Sequence, residues 1–217
     1  MTSKKQETDL GVALKNVVDR LSENFKVRLE HTAQWKLVDI VSLLRSSFTD
    51  IEFYYHFDTS AMKPDGGILS ILDSEGTARP ILITEVKNQG TNDLRTAEGK
   101  PRQAKGNAIE RLGKNVIGFR TAMMNESIVP FICFGYGCDF ADESSILDRV
   151  STIAMFGPLN TINVVNQGES GLFNRGSFFF RETPLTVQEM ANSMYEVASR
   201  AIYYYFARYG EDKFLFS

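Results

Sequence analysis

The sequence predicts an α/β fold with helices and strands arranged around one sheet, and three observations predict it. Long stretches near both ends and in the middle carry apolar residues at helical spacing. Several short apolar runs bounded by turn residues read as strands. The two kinds of segment are interleaved along the chain. The chain has 217 residues, 43% of them hydrophobic and 24% charged, which suits a single domain over 1–217 with a buried core.

Taken in order, residues 8–30 read as an amphipathic helix, because Leu10, Leu14, Val17, Leu21 and Phe25 recur at helical spacing. Residues 33–47 repeat the pattern with Trp35, Leu37, Val38, Val41 and Leu44. The aromatic-rich segment 51–57 reads as a strand. Strands are expected over 67–72 and 81–87, joined by the polar turn sequence DSEGTAR. Residues 91–106 are polar, basic and Gly-containing, and read as a loop. A helix follows over 108–124, with Ile109, Leu112, Val116, Phe119 and Met123 on one side. Residues 128–135 read as a buried strand, 143–154 as a short helix, and 161–166 and 177–181 as further strands. The last helix spans 185–208, entered through Thr186 or Pro184.

No apolar run approaches the roughly 20 residues of a membrane span, and the N-terminus MTSKKQETDLG has no apolar signal region. Cys133 and Cys138 lack partners at metal-ligand spacing and read as free thiols. A reducing cytoplasm and no membrane partner are therefore expected. The net charge of −3 argues against a protein that coats nucleic acid non-specifically. The charge is unevenly distributed, however. Residues 87–120 hold eight Lys and Arg against three Asp and Glu, a net +5, which leaves −8 for the rest of the chain. That asymmetry fits either a segment facing a polyanion or a solvated charged face.

The chemistry begins with Pro64-Asp65 and Glu85-Val86-Lys87. Residues i and i+2 of a strand face the same side, so Glu85 and Lys87 point together. A hairpin centred on Glu75 pairs residue i with 150 − i, which sets Asp65 opposite Glu85; a bulge would shift this by a residue. Two carboxylates and an ammonium then meet at one end of the hairpin. Two carboxylates suit Mg²⁺, a hard cation that keeps several waters. A metal there would acidify water and offset charge on a phosphoryl group, as phosphodiester hydrolysis requires. The lysine would orient the water, assist its deprotonation or contact the phosphate. Gly66 and Gly67 leave room for close approach of a backbone or ligand. Taken alone, the pattern also fits an ordinary exposed Glu–Lys pair.

A second constellation is the run from Gln103 to Arg111, QAKGNAIER. Asn107 followed by Glu110 resembles a capping box and is adequate for a normal helix start. The same residues suit DNA reading. Asn pairs bidentately with adenine, Arg or Lys with guanine, and an Ala methyl meets the thymine methyl. A helix N-terminus also favours nearby phosphate.

The ordered motifs KPDGGI, EVKNQG and GNAIER together resemble type II restriction endonucleases of the EcoRI group, with MunI a more distant relative. The resemblance runs with gaps over most of residues 60–135 and is strongest over 63–115. It implies a restriction-endonuclease-like fold, with a central mixed β-sheet flanked by helices. It also implies a symmetric homodimer, a requirement for Mg²⁺, and cleavage of double-stranded DNA at palindromes containing AATT, leaving 5′-phosphate ends with a 5′ overhang. A cognate DNA methyltransferase is the implied companion. On this basis Asp65 and Glu85 hold the metal and Lys87 is the catalytic lysine. Asn107, Ala108, Glu110 and Arg111 read the inner bases, with Ala104 nearby. The implied DNA-binding set is completed by Lys63, Asn88, Gln89, Lys105, Gly106, Lys114 and Arg175, the last within the motif GLFNR. Phe178 stands where the EcoRI enzyme has a second arginine, and Lys105 stands close to an arginine of MunI that reads the outer base pair. The outer bases are therefore left open.

His31 and His56 have no catalytic partner at an informative spacing. Asp39 and Glu52 read as helix surface and strand edge, with an extra metal ligand as the alternative use. Tyr203 to Tyr205 read as core and interface packing. The 108–124 helix is the expected dimer contact. Two competing functions remain at this level: a repair or recombination nuclease with the same core, and a DNA-binding protein with a vestigial nuclease site.

Overall fold

A computed structural model describes residues 3–88, 95, 97–99, 107–137, 140, 147–148, 150–151 and 158–215. Helix α1 (Ser3–Asn24) buries Leu10, Ala13, Leu14, Val17 and Leu21 along one face. Each such Leu or Val contributes about 1.5–3 kcal/mol by leaving water. Strand β1 (Arg28–Thr32) follows, then the short pair β2 (Trp35–Lys36) and β3 (Ala61–Met62), with helix α2 (Leu37–Ser47) between them. The hairpin β4 (Ile68–Leu72) and β5 (Ala78–Asn88) leads to helix α3 (Asn107–Ala122) and strand β6 (Phe131–Tyr136). A single-turn helix α4 (Gly168–Gly171), strand β7 (Ser177–Arg181) and the long helix α5 (Val187–Tyr209) complete the order.

The main sheet runs β1-β4-β5-β6-β7. β1, β4 and β5 are antiparallel neighbours, whereas β5, β6 and β7 run parallel. The sheet is therefore mixed, and β5 lies at its centre. One face packs on α1 and α5 through Leu69, Leu82, Val86, Ile132, Phe134 and Phe179. The other packs on α3 through Ile68, Ile83, Phe131, Cys133, Phe178 and Phe180. A smaller cluster of Ile40, Leu44 and Ala122 joins α2 to α3. No described helix is long and apolar enough to cross a membrane.

The hairpin register has a break that matters for the site. Leu72, Ile71 and Ser70 pair with Ala78, Arg79 and Pro80 as a turn centred on Glu75 requires. Leu69 then pairs with Leu82, so Ile81 is the extra residue of a bulge. Before the bulge, Arg79 reaches α5, lying 3.8 Å over the Tyr209 ring. After it, Leu82 and Val86 keep the α5 side while Ile83 faces α3. Bulges redirect strand side chains in this way.

Several elements depart from the sequence expectation. The first helix stops at Asn24, and 28–32 form an edge strand paired with β4. Phe25 extends the helical spacing, yet Val27, Leu29 and His31 alternate with Arg28, Glu30 and Thr32, the period of a half-buried strand. The segment 51–57 is irregular, with Ile51, Tyr54 and Phe57 exposed. Its aromatic content suggested a strand, but it pairs with no sheet edge, and Phe53 packs instead beside Phe48. Residues 161–166 make only an isolated bridge between Val165 and Ile128. The α2 helix starts at Leu37, after Trp35 and Lys36 are spent on β2. In the expected 143–154 helix, Leu147, Asp148, Val150 and Ser151 are helical and the remainder lies outside the described residues, as does most of the expected 91–106 loop.

Candidate active site

Asp65 is delivered by a turn. Gly67 N–H donates to the Pro64 carbonyl at 3.0 Å, and Gly66 N–H donates to the Thr84 carbonyl at 3.0 Å. The turn is thus pinned to β5. It needs both glycines. A Cβ on Gly66 would lie 1.9 Å from Thr84 Oγ1, and Gly67 has φ +73° with Thr32 O only 2.6 Å from where a Cβ would stand. His31 Nε2 donates to the Gly66 carbonyl at 2.9 Å and so braces the turn from β1, a role its sequence context does not reveal.

Asp65, Glu85 and Lys87 meet at the C-terminal end of β5. The Asp65 N–H donates to Glu85 Oε2 at 3.2 Å, and the Val86 N–H donates to Asp65 Oδ2 at 3.1 Å. Lys87 Nζ donates to Asp65 Oδ2 at 3.4 Å and also to Glu85 Oε1. The register expected from the sequence is off by one because of the bulge, yet the three groups remain neighbours. Glu85 is 2% exposed, while the Asp65 side chain is 29% exposed and the Lys87 side chain 15%. Burial, with the Asp65 charge adding to it, pushes the Glu85 carboxyl above the usual carboxylate range, against the pull of Lys87. Burial works to lower Lys87, but Glu85, with Cys133 and Asp65 contributing, holds the ammonium above its ordinary value. Cys133 pairs with Glu85 across to β6, and its burial keeps the thiol well above the ordinary range.

Two further residues touch the trio and carry no motif in the sequence. Asn115 Nδ2, from α3, donates to Glu85 Oε1 at 3.2 Å. Gln6, 5% exposed on α1, donates from Nε2 to the Lys87 carbonyl at 3.4 Å. No sequence spacing signals these contacts, because they depend on which helices cover the end of β5.

The donor set fits a divalent cation. Two carboxylates converge on a single cation, the Lys87 ammonium, so their oxygens already point at a common centre. Among the described residues no group of three or more His, Cys, Asp and Glu is gathered, and neither Asp39 nor Glu52 joins the trio. A pair of hard oxygen donors, leaving other positions to water and phosphate, is the set that Mg²⁺ takes.

The expected DNA-binding residues are distributed as follows. Lys63 is exposed one residue before Pro64. Asn88 ends β5. Asn107, Ala108 and Glu110 occupy the first turn of α3, and Arg111 and Lys114 are exposed further along it. Gln89, Ala104, Lys105 and Gly106 lie outside the described residues. Arg175 is not brought to the trio. It lines a 330 Å³ hollow with Ile117, Arg120, Thr121, Met124 and Asn166, beside the C-terminal half of α3. Phe178 is 1% exposed and packs against Phe131 and Phe180 in the core. Its side chain is a packing element of β7.

The chain is similar to known restriction enzymes. The family described as restriction endonuclease EcoRI matches residues 1–146. The type II restriction enzyme RsrI of Cereibacter sphaeroides is 30% identical over 236 residues, covering 92% of this chain and 84% of that one. The type II restriction enzyme EcoRI of Escherichia coli is 28% identical over 156 residues, covering 68% of this chain and 56% of its own length.

Proposed function

Since the chain belongs to the EcoRI restriction endonuclease family, and its relatives make it a site-specific deoxyribonuclease, we propose that it is a type II restriction enzyme that hydrolyses both strands of DNA at a palindrome containing AATT. The supporting observation is the convergence of Asp65, Glu85 and Lys87 at the end of the central strand, with α3 bonded to Glu85 through Asn115. The reaction depends on Mg²⁺ and leaves 5′-phosphate ends with a 5′ overhang. The whole of 1–217 acts as one nuclease domain.

In this reading Asp65 and Glu85 hold the metal. When bound, Mg²⁺ supplies Lewis acidity, lowering the pKa of a coordinated water and offsetting charge on the phosphoryl oxygens. Asp65, tied to Val86 N–H, and Glu85, tied to Asp65 N–H, keep their oxygens fixed relative to each other. That fixed geometry avoids the cost of reorganising the site as charge develops. Lys87 holds its ammonium beside both carboxylates, where it donates to the attacking water or to the scissile phosphate. The first turn of α3, with Asn107, Ala108, Glu110 and Arg111, reads the inner bases, and the segment with Ala104, Lys105 and Gly106 leads into it. Lys63, Asn88, Gln89, Lys114 and Arg175 bind the duplex around these contacts. Two copies related by a two-fold axis match the symmetry of a palindrome. A cognate DNA methyltransferase protects the host's own sites.

Digestion of a sequenced plasmid with Mg²⁺, followed by sequencing of the ends, tests the reading directly. Discrete fragments ending in one four-base 5′ overhang with AATT in the site are expected, and random nicking would overturn it. Glu85→Ala is expected to abolish cleavage while specific binding in Ca²⁺ survives, as gel shift would show. Normal cutting by Glu85→Ala would mean that the metal is held elsewhere.

A further inference from the structure

We infer that Asn115 is a positioning residue that ties the orientation of Glu85 to the seating of α3, so that docking of the helix on DNA and alignment of the metal-binding carboxylate are one event. The inference rests on the nuclease reading above.

The Glu85 carboxylate is held from two directions. Asp65 N–H and Lys87 Nζ belong to the hairpin and its turn. Asn115 Nδ2 comes from across the layer, 3.2 Å from Glu85 Oε1, and among the described residues it is the donor that α3 contributes. Glu85 is 2% exposed. With little water to replace a lost donor, a hydrogen bond to its ionised oxygen is of the stronger, charge-assisted kind. Removing the Asn115 amide leaves the carboxylate to the Asp65 N–H and Lys87, with no tie to α3.

Position 115 also has a defined relation to the reading turn. Positions 107, 111 and 115 lie on one i, i+4 ridge of α3, beside the buried row Ile109, Leu112, Val116 and Phe119. Eight residues of helix span about 12 Å and move as a stiff rod. A tilt or rotation of the first turn on a mismatched site is therefore passed to Asn115, and through it to the Glu85 oxygen. Sequence mismatches should then be penalised in cleavage beyond their penalty in binding.

The test compares the wild-type protein with Asn115→Ala and Asn115→Leu. Alanine favours helix at this half-buried position, and leucine keeps similar bulk without a donor. Thermal unfolding would confirm that both remain folded. Three quantities are read: metal-free affinity for an AATT-containing duplex, affinity of the protein–DNA complex for Ca²⁺, and single-turnover cleavage with Mg²⁺. Metal-free DNA affinity is expected to stay within about threefold, while Ca²⁺ affinity and cleavage each fall by about tenfold or more, as for other outer hydrogen bonds to metal ligands. Cleavage and Ca²⁺ affinity within twofold of wild type would overturn the inference. So would a loss of metal-free DNA affinity as large as the loss in rate, which would make Asn115 a DNA contact. Failure of the wild-type protein to cut any DNA would instead remove the nuclease reading, and Ca²⁺ titration of the proteins would still decide whether Asn115 positions Glu85.

Discussion

Gly66 has no room for a methyl group, since one would press on Thr84 Oγ1 at 1.9 Å and on Leu10 Cδ2 at 2.9 Å. Thr84 is 1% exposed and β-branched on the central strand, with little freedom at χ1, so relief must come from the turn. Gly66→Ala is therefore expected to lift the 64–67 turn off β5 and move Asp65 away from Glu85. Urea denaturation should show a loss of about 1–3 kcal/mol, the usual cost of overpacking, and single-turnover cleavage should fall at least a hundredfold. A wild-type rate in this variant would mean that the turn does not position Asp65. At this scale the sequence was informative where chemistry and spacing coincide. Asp65, Glu85 and Lys87 could be grouped from strand periodicity and a hairpin centre alone. Asn115, Gln6 and His31 could not, because an amide or imidazole becomes a brace only through a neighbour from a distant element. Phe178 was readable only as a departure from a family pattern; its burial between Phe131 and Phe180 shows what the position does here.

Helix α5 shows how much an element owes to its first turn. Thr186 Oγ1 accepts the Glu189 N–H at 3.2 Å, and Glu189 Oε2 accepts the Thr186 N–H at 2.8 Å, a reciprocal capping box. Arg181 adds an ion pair to Glu189 at 2.9 Å. The Thr186 hydrogen bonds, with Arg181 assisting, lower the Glu189 carboxyl to about 2. A depressed carboxylate contributes stability above its unfolded pKa, near 4.5, and that contribution is lost as pH falls towards about 2. Thr186→Ala should cost about 1 kcal/mol at neutral pH, and the variant should lose less stability than wild type between pH 5 and pH 3. Equal acid sensitivity would separate Glu189 from the cap. Thr186 was one of two starts visible in the sequence, and the apolar stripes of α1 and α3 were visible too, because helix caps and helix periodicity are local. The strands were harder. Segment 51–57 has strand composition without a sheet edge to join, and 28–32 has strand alternation hidden behind one more apolar residue at helical spacing.

At the scale of the molecule, β5 joins two assemblies with different tasks. Its C-terminal end holds the trio. Its N-terminal end is anchored by Arg79, which pairs with Asp73 at 3.3 Å and with Glu126 at 3.4 Å. Glu126 also accepts Tyr204 OH at 3.0 Å and Tyr209 OH at 2.9 Å, and pairs with Arg208 at 3.2 Å. One carboxylate thus fastens the turn after α3 to β5 and α5. Glu126→Ala removes one of the two carboxylates that pair with Arg79 and the acceptor of two tyrosine hydroxyls, and is expected to cost about 2–3 kcal/mol in urea denaturation. Eight residues of strand, roughly 26 Å, separate Arg79 from Lys87, so cleavage by the folded variant should stay within about twofold of wild type. A large loss of cleavage without a loss of stability would show that the two ends are coupled. The bulge at Ile81 lies between these ends, and it bears on how such a chain tolerates changes in length. Strand side chains repeat every two residues, so one extra residue acts as a half-period phase shift. It assigns Arg79 and Ile81 to the α5 layer, and Ile83, Glu85 and Lys87 to the α3 layer. A β5 that kept every residue but ran from Arg79 to Lys87 without the bulge would keep its composition and its hairpin, yet turn its carboxylate and lysine toward the wrong helices. Added residues in the 73–77 turn would leave that phase untouched. Loss of Ile81 together with the bulge would also preserve it, so the bulge that absorbs the extra residue is as much a determinant of the site as the identity of Glu85 itself.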